Sequence, residues 1–155
     1  MELHTEIEIA APAPVVWSVI ADLAAYASWN PFLVRAVGNL APGEGLEITF
    51  SPPGGRSMSM RPTVLAVEAG RGFAWLGRLA GIPKLFDGEH HFEIEPIDGE
   101  RVRFRQWERF GGILVPFLRK MLDTNTRAGF EAMNAALKER AEARVIAGAT
   151  TSSDR

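Results

Sequence analysis

The feature that most constrains the fold is a change of hydrophobic period near residue 111. Between Val34 and Phe110, apolar and polar residues alternate in runs separated by glycine and proline, which is typical of consecutive strands. After Gly111 and Gly112 the spacing of apolar residues becomes helical and predicts one carboxyl-terminal helix of about seven turns. An antiparallel sheet with one apolar face must cover that face, and this helix is the only segment long enough. We therefore expect an α+β fold in which the sheet curves around the helix.

The alternating runs predict seven strands in one curved antiparallel sheet. They cover residues 3–10, 32–40, 46–51, 57–67, 72–79, 86–96 and 101–110. Turn-forming stretches rich in glycine and proline separate the later runs. We interpret residues 32–110 as a meander of consecutive strands.

The segment from Ile9 to Phe32 predicts a short amphipathic helix that ends in a Trp-Asn-Pro-Phe turn. Pro14 suits the first helical turn, and Pro31 disfavours helix at the residue before it. Four large rings fall within this segment: Trp17, Tyr26, Trp29 and Phe32. Two interpretations stay open, because such rings either line a pocket or form an ordinary core.

Length and composition predict one domain. A chain of 155 residues is long enough for a single core with some volume left for a ligand. We assign residues 1–143 to this domain and expect residues 144–155 to form a flexible tail, because the end of the sequence is small, polar and without periodicity.

Charge and cysteine content exclude several classes of function. The chain has 17 basic and 19 acidic residues, so its net charge of −2 creates no global attraction for nucleic acid or an anionic membrane. The absence of cysteine excludes disulfides and thiolate chemistry. No apolar run approaches the roughly 20 residues that span a bilayer, and the alternating amino terminus does not resemble an export signal. We expect a soluble, cytoplasmic protein.

Two residues interrupt the apolar stripe of the carboxyl-terminal helix. Asn125 is polar, and Gly129 costs about 1 kcal/mol relative to alanine inside a helix. Either a strand backbone packs closely against Gly129, or the helix stands away from the sheet and leaves a cavity with Asn125 at its wall. The sequence leaves both alternatives open.

The last two predicted strands form a hairpin whose register follows from their pattern. Paired residues point to the same side of a sheet, so apolar positions must meet apolar positions and paired residue numbers must sum to an even number. A three-residue loop of Ile97, Asp98 and Gly99, with the glycine in the left-handed conformation, satisfies this condition. This register places His90 opposite Gln106 and Phe92 opposite Phe104.

Three polar residues share the inner face of this hairpin: His90, Gln106 and Glu108. Unpaired buried polar groups are costly, so these residues either satisfy one another or orient a ligand in a mostly apolar pocket. His90 with Glu108 is the only candidate acid-base pair, and such a pair alone is a weak signal of catalysis. The sequence has no glycine-rich phosphate loop, serine nucleophile elbow or His-Glu-x-x-His motif, so we expect no metal and no cofactor.

Methionine and aromatic side chains suit an interior that adapts to an irregular apolar ligand. The predicted cavity lining comprises Trp29, Phe32, Phe50, Met58, Met60, Trp75, Phe86, His90, Phe92, Phe104, Gln106, Glu108, Met121, Asn125 and Met133. The first hypothesis is a carrier or sensor of a small hydrophobic molecule, with residues 81–88 at the entrance. The second is a cyclase or dehydratase that uses His90 or Glu108 as acid or base. The third is an interaction module with a closed core that forms a homodimer through an edge strand.

Five local motifs carry a family resemblance. They are I-x-I-x-A-P at 7–12, V-W-x-V-I-A-D-L at 16–23, Y-A-S-W-N-P-F at 26–32, D-G-E-H-H-F-E-I at 87–94 and F-E-A-M-N-A-A-L-K at 130–138. In these motifs and in the order of its elements, the chain resembles the SRPBCC or START-like superfamily, whose helix-grip fold is shared with the birch-pollen allergen. It is most similar to the polyketide cyclase/dehydrase branch of small bacterial proteins.

The resemblance implies two short helices after the first strand, a seven-stranded sheet and a long helix over a hydrophobic cavity. It also implies a ligand such as a lipid or an aromatic polyketide, since members of the superfamily bind such molecules and a minority catalyse cyclisation or dehydration. No catalytic residue carries over from the resemblance to a position of this sequence.

Overall fold

A computed structural model of the chain describes residues 1–153. Its strands are β1 (Glu2–Ile9), β2 (Leu33–Val37), β3 (Glu47–Phe50), β4 (Met58–Met60), β5 (Thr63–Glu68), β6 (Gly72–Arg78), β7 (Asp87–Pro96) and β8 (Val102–Gly111). Its α-helices are α1 (Ala13–Ile20), α2 (Tyr26–Trp29), α3 (Val115–Met121) and α4 (Arg127–Ser153). Short 3-10 turns occupy Leu23–Ala25 and Leu79–Gly81, and a π-helical turn at Leu122–Thr126 joins α3 to α4. The expected α+β fold, with a long carboxyl-terminal helix on an antiparallel sheet, is confirmed.

The strands form two sheets, so the prediction of seven strands in one sheet is wrong. One sheet has five strands in the order β1-β8-β7-β6-β5, and the other has three in the order β2-β3-β4. The predicted strand 57–67 divides at Pro62, where β4 ends its pairing with β3 and β5 begins its pairing with β6. Proline has no backbone N–H to donate to a ladder, which makes it a natural break point.

The same proline also marks the place where the two sheets meet. The Pro62 carbonyl accepts a 2.9 Å hydrogen bond from the Leu46 N–H. Val64 exchanges backbone hydrogen bonds with the loop before β3, donating to Glu44 at 2.9 Å and accepting from Gly43 at 2.8 Å. The chain therefore changes sheets without leaving buried backbone groups unpaired.

The β7-β8 hairpin keeps the predicted parity but not the predicted register. Phe92 pairs with Gln106 and His90 with Glu108, so the strands are displaced by two residues from the expected pairing. The physical cause is the turn: the Ile97 N–H donates to the Arg101 carbonyl at 2.9 Å. The loop is therefore residues 98–100, and Gly99 does not adopt the left-handed conformation. A displacement of two leaves every side chain on its predicted face.

The carboxyl-terminal helix is continuous from Val115 to Ser153, with its π-helical turn near the beginning. Its buried residues beyond that turn are Gly129, Phe130, Met133, Asn134, Leu137 and Ala141, and α4 packs against β1 and α1. The helix passes the predicted domain end at 143, although the described side chains of residues 145–151 are exposed. Mobility of the tail stays a prediction.

The turn after α2 directs a ring onto the carboxyl-terminal helix. The buried Asn30 side chain accepts hydrogen bonds from the backbone N–H groups of Phe32 at 3.0 Å and Leu33 at 2.9 Å. This Asx turn places the Phe32 ring against Gly129, where an added Cβ would overlap the ring. Of the two alternatives for Gly129, close packing is the correct one, but the neighbour is an aromatic side chain and not a strand backbone.

The aromatic residues of the amino-terminal segment divide between core and rim. Tyr26 and Phe32 are buried, and the Tyr26 hydroxyl donates to the Ile20 carbonyl at 2.6 Å. Trp17 and Trp29 are half-buried and pack against the core from outside. Within the described chain, no helix has the length and apolar character needed to cross a membrane.

Candidate functional site

The candidate site is built on the inner face of β7 and β8. His90, on β7, is fully buried and lies flat between two phenyl rings. The Phe92 ring centroid lies 4.1 Å from the His90 centroid, and the Phe130 centroid lies 4.6 Å from it on α4. Trp75 on β6 meets the imidazole edge-on at 5.8 Å. The imidazole is therefore held in one plane by aromatic packing.

A chain of side-chain hydrogen bonds connects this imidazole to the long helix and to β1. The Gln106 amide donates from Nε2 to the Phe130 carbonyl at 3.0 Å and to Asn134 Oδ1 at 2.6 Å. Asn134 in turn donates from Nδ2 to Thr5 Oγ1 at 3.1 Å. Because both Gln106 amide protons point to the helix, its Oε1 atom faces His90 as an acceptor.

This network determines the tautomer of His90. His90 Nε2 lies 3.1 Å from Gln106 Oε1, so Nε2 carries the proton and donates it. Nδ1 is then an acceptor, and it is buried with no hydrogen-bond partner among the described residues. The Glu108 carboxyl group lies beside it, with Oε2 3.6 Å from Nδ1.

Burial makes both members of this pair neutral at pH 7. Desolvation lowers the pKa of His90 to about 3, and desolvation raises the pKa of Glu108 to about 8. A protonated carboxyl group therefore faces an unprotonated imidazole nitrogen at a distance too long for a direct hydrogen bond. The pair offers one donor and two kinds of acceptor to any polar group that enters between them.

Two glycines make room for this pair at the end of the sheet. Gly77 on β6 pairs directly with Gly88 on β7. A Cβ at Gly88 would overlap the Glu108 carboxylate, and one at Gly77 would overlap the sulfur of Met60. Glu108 and Met60 therefore fill the space that the glycines leave, and both side chains are flexible enough to move.

Most of the predicted cavity residues lie in or beside this interior. Those that are buried are Phe32, Trp75, His90, Phe92, Phe104, Gln106 and Met133. Those that are partly buried are Trp29, Phe50, Met60, Phe86, Glu108 and Asn125. Met58 and Met121 lie at the surface, with 49% and 42% of their area exposed. The structure brings His90, Gln106 and Glu108 together as the sequence predicted, but it does not bring Met58 or Met121 to them.

Sequence reasoning missed three residues of the network: Thr5, Phe130 and Asn134. Asn134 follows Phe130 by four residues, so helical spacing alone could have placed both on one face with a polar partner for Gln106. The π-helical turn at Leu122–Thr126 obscured this face. An i to i+5 turn rotates the helix that follows it, so Phe130 and Asn134 do not continue the apolar stripe that precedes the turn.

A groove of about 870 Å³ lies on the surface of β3, β4, β5 and β6. Met58 and Met60 line it, whereas His90 and Glu108 do not. Met60 therefore lines the groove and also contacts Gly77, which pairs with Gly88 beside Glu108. Across the described part of the chain, no three histidine or carboxylate side chains are grouped closely enough to hold a metal ion.

Comparison with known proteins places the whole arrangement in a family. Residues 1–142 match the family described as polyketide cyclase / dehydrase and lipid transport. No protein of curated function matches the chain by sequence.

Solved structures share the fold at low sequence identity. An aromatase/cyclase from Streptomyces sp. R1128 is 19% identical with a TM-score of 0.73, the match covering 94% of this chain and 95% of that one. Norcoclaurine synthase from Thalictrum flavum is 16% identical with a TM-score of 0.71, covering 93% and 95% of the two chains. A START superfamily protein from Mycobacterium smegmatis is 18% identical with a TM-score of 0.67, covering 89% and 97%.

Proposed function

Because the chain belongs to the polyketide cyclase / dehydrase and lipid transport family, we propose that it is a carrier or sensor of a small hydrophobic molecule. The ligand is a lipid or an aromatic or polyketide compound that places one hydroxyl or carbonyl group between His90 and Glu108. Buried residues of the predicted lining, such as Trp75, Phe92 and Phe104, supply the apolar surface around it.

One observation carries this proposal: among residues 1–153 no donor reaches the buried Nδ1 atom of His90, and a neutral carboxyl group lies 3.6 Å away. An unpaired buried acceptor costs about 1 to 3 kcal/mol, and a ligand hydroxyl that donates to Nδ1 removes that cost. Glu108 can donate to a ligand carbonyl or accept from a hydroxyl. The surrounding rings of Trp75, Phe92 and Phe130 favour an aromatic or otherwise apolar ligand body.

Entry of a ligand requires a side chain to move. Met60 stands between the surface groove and Gly77, and its unbranched thioether chain changes rotamer easily. Displacement of Met60 and Glu108 would open the space above the Gly77–Gly88 pair to the groove. We therefore include this groove as the route to the interior.

The test uses two probes that differ by one hydroxyl group, naphthalene and 2-naphthol, measured by displacement of an environment-sensitive dye. We expect 2-naphthol to bind about five- to tenfold more tightly than naphthalene, the value of about one hydrogen bond. In His90→Phe, which removes the Nδ1 acceptor and keeps an aromatic ring, this preference should disappear while naphthalene still binds.

The matched control is His91→Phe, which changes the neighbouring histidine on the opposite face of the same strand and should keep the preference. Equal binding of the two probes to the wild-type protein would contradict the proposed polar contact. Native mass spectrometry that retains no apolar compound, together with no dye displacement, would contradict the carrier function itself.

A second candidate, a cyclase- or dehydratase-like enzyme, is favoured by the pKa of Glu108. A carboxyl group whose pKa is about 8 suits general acid–base catalysis at neutral pH, whereas the His90 pKa of about 3 makes its imidazole a weak base. The carboxylate form of Glu108 would take a proton from the carbon next to a carbonyl group and return it to the carbonyl oxygen to give an enol, and His90 Nδ1 would accept a hydrogen bond from the enol hydroxyl group.

Deuterium exchange at the benzylic α-carbon of 2-tetralone, followed by NMR in D₂O, tests this second candidate. Wild-type protein should accelerate exchange, Glu108→Gln should lose the acceleration, and Glu95→Gln should keep it. Binding of 2-tetralone without accelerated exchange would leave the carrier function and eliminate the catalytic one. The cytoplasmic location, the homodimer and the tail at 144–155 remain predictions of the sequence.

A further inference from the structure

Four large apolar side chains are exposed at the end of the molecule where β7 begins and β8 ends. Phe117 is 84% exposed, Ile113 70%, Ile82 52% and Met121 42%. Ile113, Phe117 and Met121 follow one another at intervals of four, which places them in a row along α3 and the turn before it. A phenylalanine this exposed has no role in the core.

Backbone hydrogen bonds join the two segments that carry these side chains. The Ile113 N–H donates to the Lys84 carbonyl at 3.0 Å, and the Leu114 N–H donates to the Leu85 carbonyl at 3.1 Å. The loop after β6 and the beginning of α3 are therefore held side by side. Ile82 and Ile113 belong to one surface, not to two separate loops.

Cationic side chains accompany this row, whereas the nearby carboxylates already have partners. Lys84, Arg119 and Lys120 lie in the same two segments and are exposed. The nearest carboxylates in sequence are Asp87 and Asp123. Asp87 lies 3.7 Å from the Arg78 guanidinium and Asp123 lies 3.0 Å from that of Arg127.

We propose that this apolar-basic face, formed by Ile82, Lys84, Ile113, Phe117, Lys120 and Met121, docks on the surface of an anionic lipid bilayer. Apolar side chains flanked by lysine and arginine are the combination that binds the interface of such a membrane. The net charge of −2 does not oppose docking, because surface charges act within about one Debye length. A second copy of the chain fits less well, since a twofold contact would bring the cations of both copies together.

This inference goes beyond the proposed function and does not depend on it. The face lies at the Asp87 and Gly111 ends of the two strands that carry His90 and Glu108. Docking would therefore bring the candidate site close to a reservoir of apolar molecules. Vesicle binding is nevertheless a property of this surface alone and is measured without any interior ligand.

The test is co-sedimentation of the full chain with vesicles of phosphatidylcholine, with and without about 30 mol% phosphatidylglycerol. We expect binding to the anionic vesicles only, weakened by high salt. Phe117→Ser should reduce the partition coefficient at least about tenfold, and Lys120→Glu at least about fivefold.

Ile146→Ser is the matched control, because Ile146 is a comparably exposed apolar residue (68%) near the far end of α4. It should bind as the wild-type protein does, and thermal unfolding should show that all three variants keep their fold. Wild-type binding by Phe117→Ser, or equal binding to both kinds of vesicle, would overturn the proposal. A dimer in native mass spectrometry that Phe117→Ser dissociates would also overturn it, by showing that a second copy occupies the face.

Discussion

At the scale of single residues, Gly129 shows how a local cost can be offset by packing. A glycine inside a helix is less favourable than alanine by about 1 kcal/mol. In this chain the missing Cβ allows the Phe32 ring to lie directly on the helix backbone, beside Phe130 at 5.6 Å between ring centroids. The burial of an aromatic ring outweighs the backbone cost.

Replacement of Gly129 by alanine should therefore destabilise the protein, although alanine is the better helix former. We expect the free energy of unfolding to fall by about 1 to 3 kcal/mol, since the new methyl group displaces a buried ring. Gly148→Ala is the matched control in the same helix, because a Cβ at Gly148 would meet no other described atom within 4 Å. That variant should be neutral or stabilised by up to about 1 kcal/mol in urea denaturation. A stabilised Gly129→Ala would contradict the close packing.

At the scale of elements, the turn between α2 and β2 depends on one buried side chain. Asn30 Oδ1 accepts both backbone N–H groups that follow Pro31. Those two bonds set the direction in which the chain enters β2 and so aim Phe32 at the helix.

Asn30→Ala should lower the free energy of unfolding by about 2 kcal/mol, because it leaves two buried donors without an acceptor. Asn30→Asp keeps the acceptor oxygen and should cost clearly less. Equilibrium unfolding in urea compares the two variants with the wild-type protein. Similar losses in both would show that the amide, and not the acceptor oxygen, holds the turn.

The strands and helices also differ in how well the sequence predicts them. The sequence predicts the inner and outer faces of β7 and β8 correctly, because side chains alternate between the two faces of a strand whatever its register. The register was not predicted correctly, because the Ile97–Arg101 bond depends on turn geometry. The division of one predicted strand at Pro62 was missed because both halves continue the same alternation. The π-helical turn was missed because its residues, Leu122–Thr126, have the composition of an ordinary helix.

At the scale of the whole molecule, the His90–Glu108 pair makes stability depend on pH in two opposite ways. The pKa of Glu108 is raised from 4.5 to about 8 in the folded state, so its contribution is lost as pH rises through that interval. The pKa of His90 is lowered from 6.5 to about 3, so its contribution is lost as pH falls through that interval. Between pH 4.5 and 6.5 the two slopes oppose each other.

We therefore expect Glu108→Gln to abolish a loss of stability that the wild-type protein shows on the alkaline side. Between pH 6.5 and 8 the wild-type free energy of unfolding should fall by about 2 kcal/mol more than that of Glu108→Gln. Urea denaturation at several pH values measures the difference, with Glu95→Gln as the control that keeps the wild-type slope. Parallel pH profiles for wild-type and Glu108→Gln would mean that the carboxyl group is ionised in the folded protein.

The sequence by itself determined the kind of fold, the covering helix and the side of the sheet on which His90, Gln106 and Glu108 lie. These properties follow from hydrophobic periodicity, which is local and survives shifts of register. Only the tertiary structure decided that Phe130 and Asn134 complete the polar network, that Phe32 covers Gly129, and that Nδ1 of His90 faces Glu108 with no donor in the described part of the chain. Those relationships join residues distant in sequence, and their geometry depends on a helix phase and a strand register that no local pattern records.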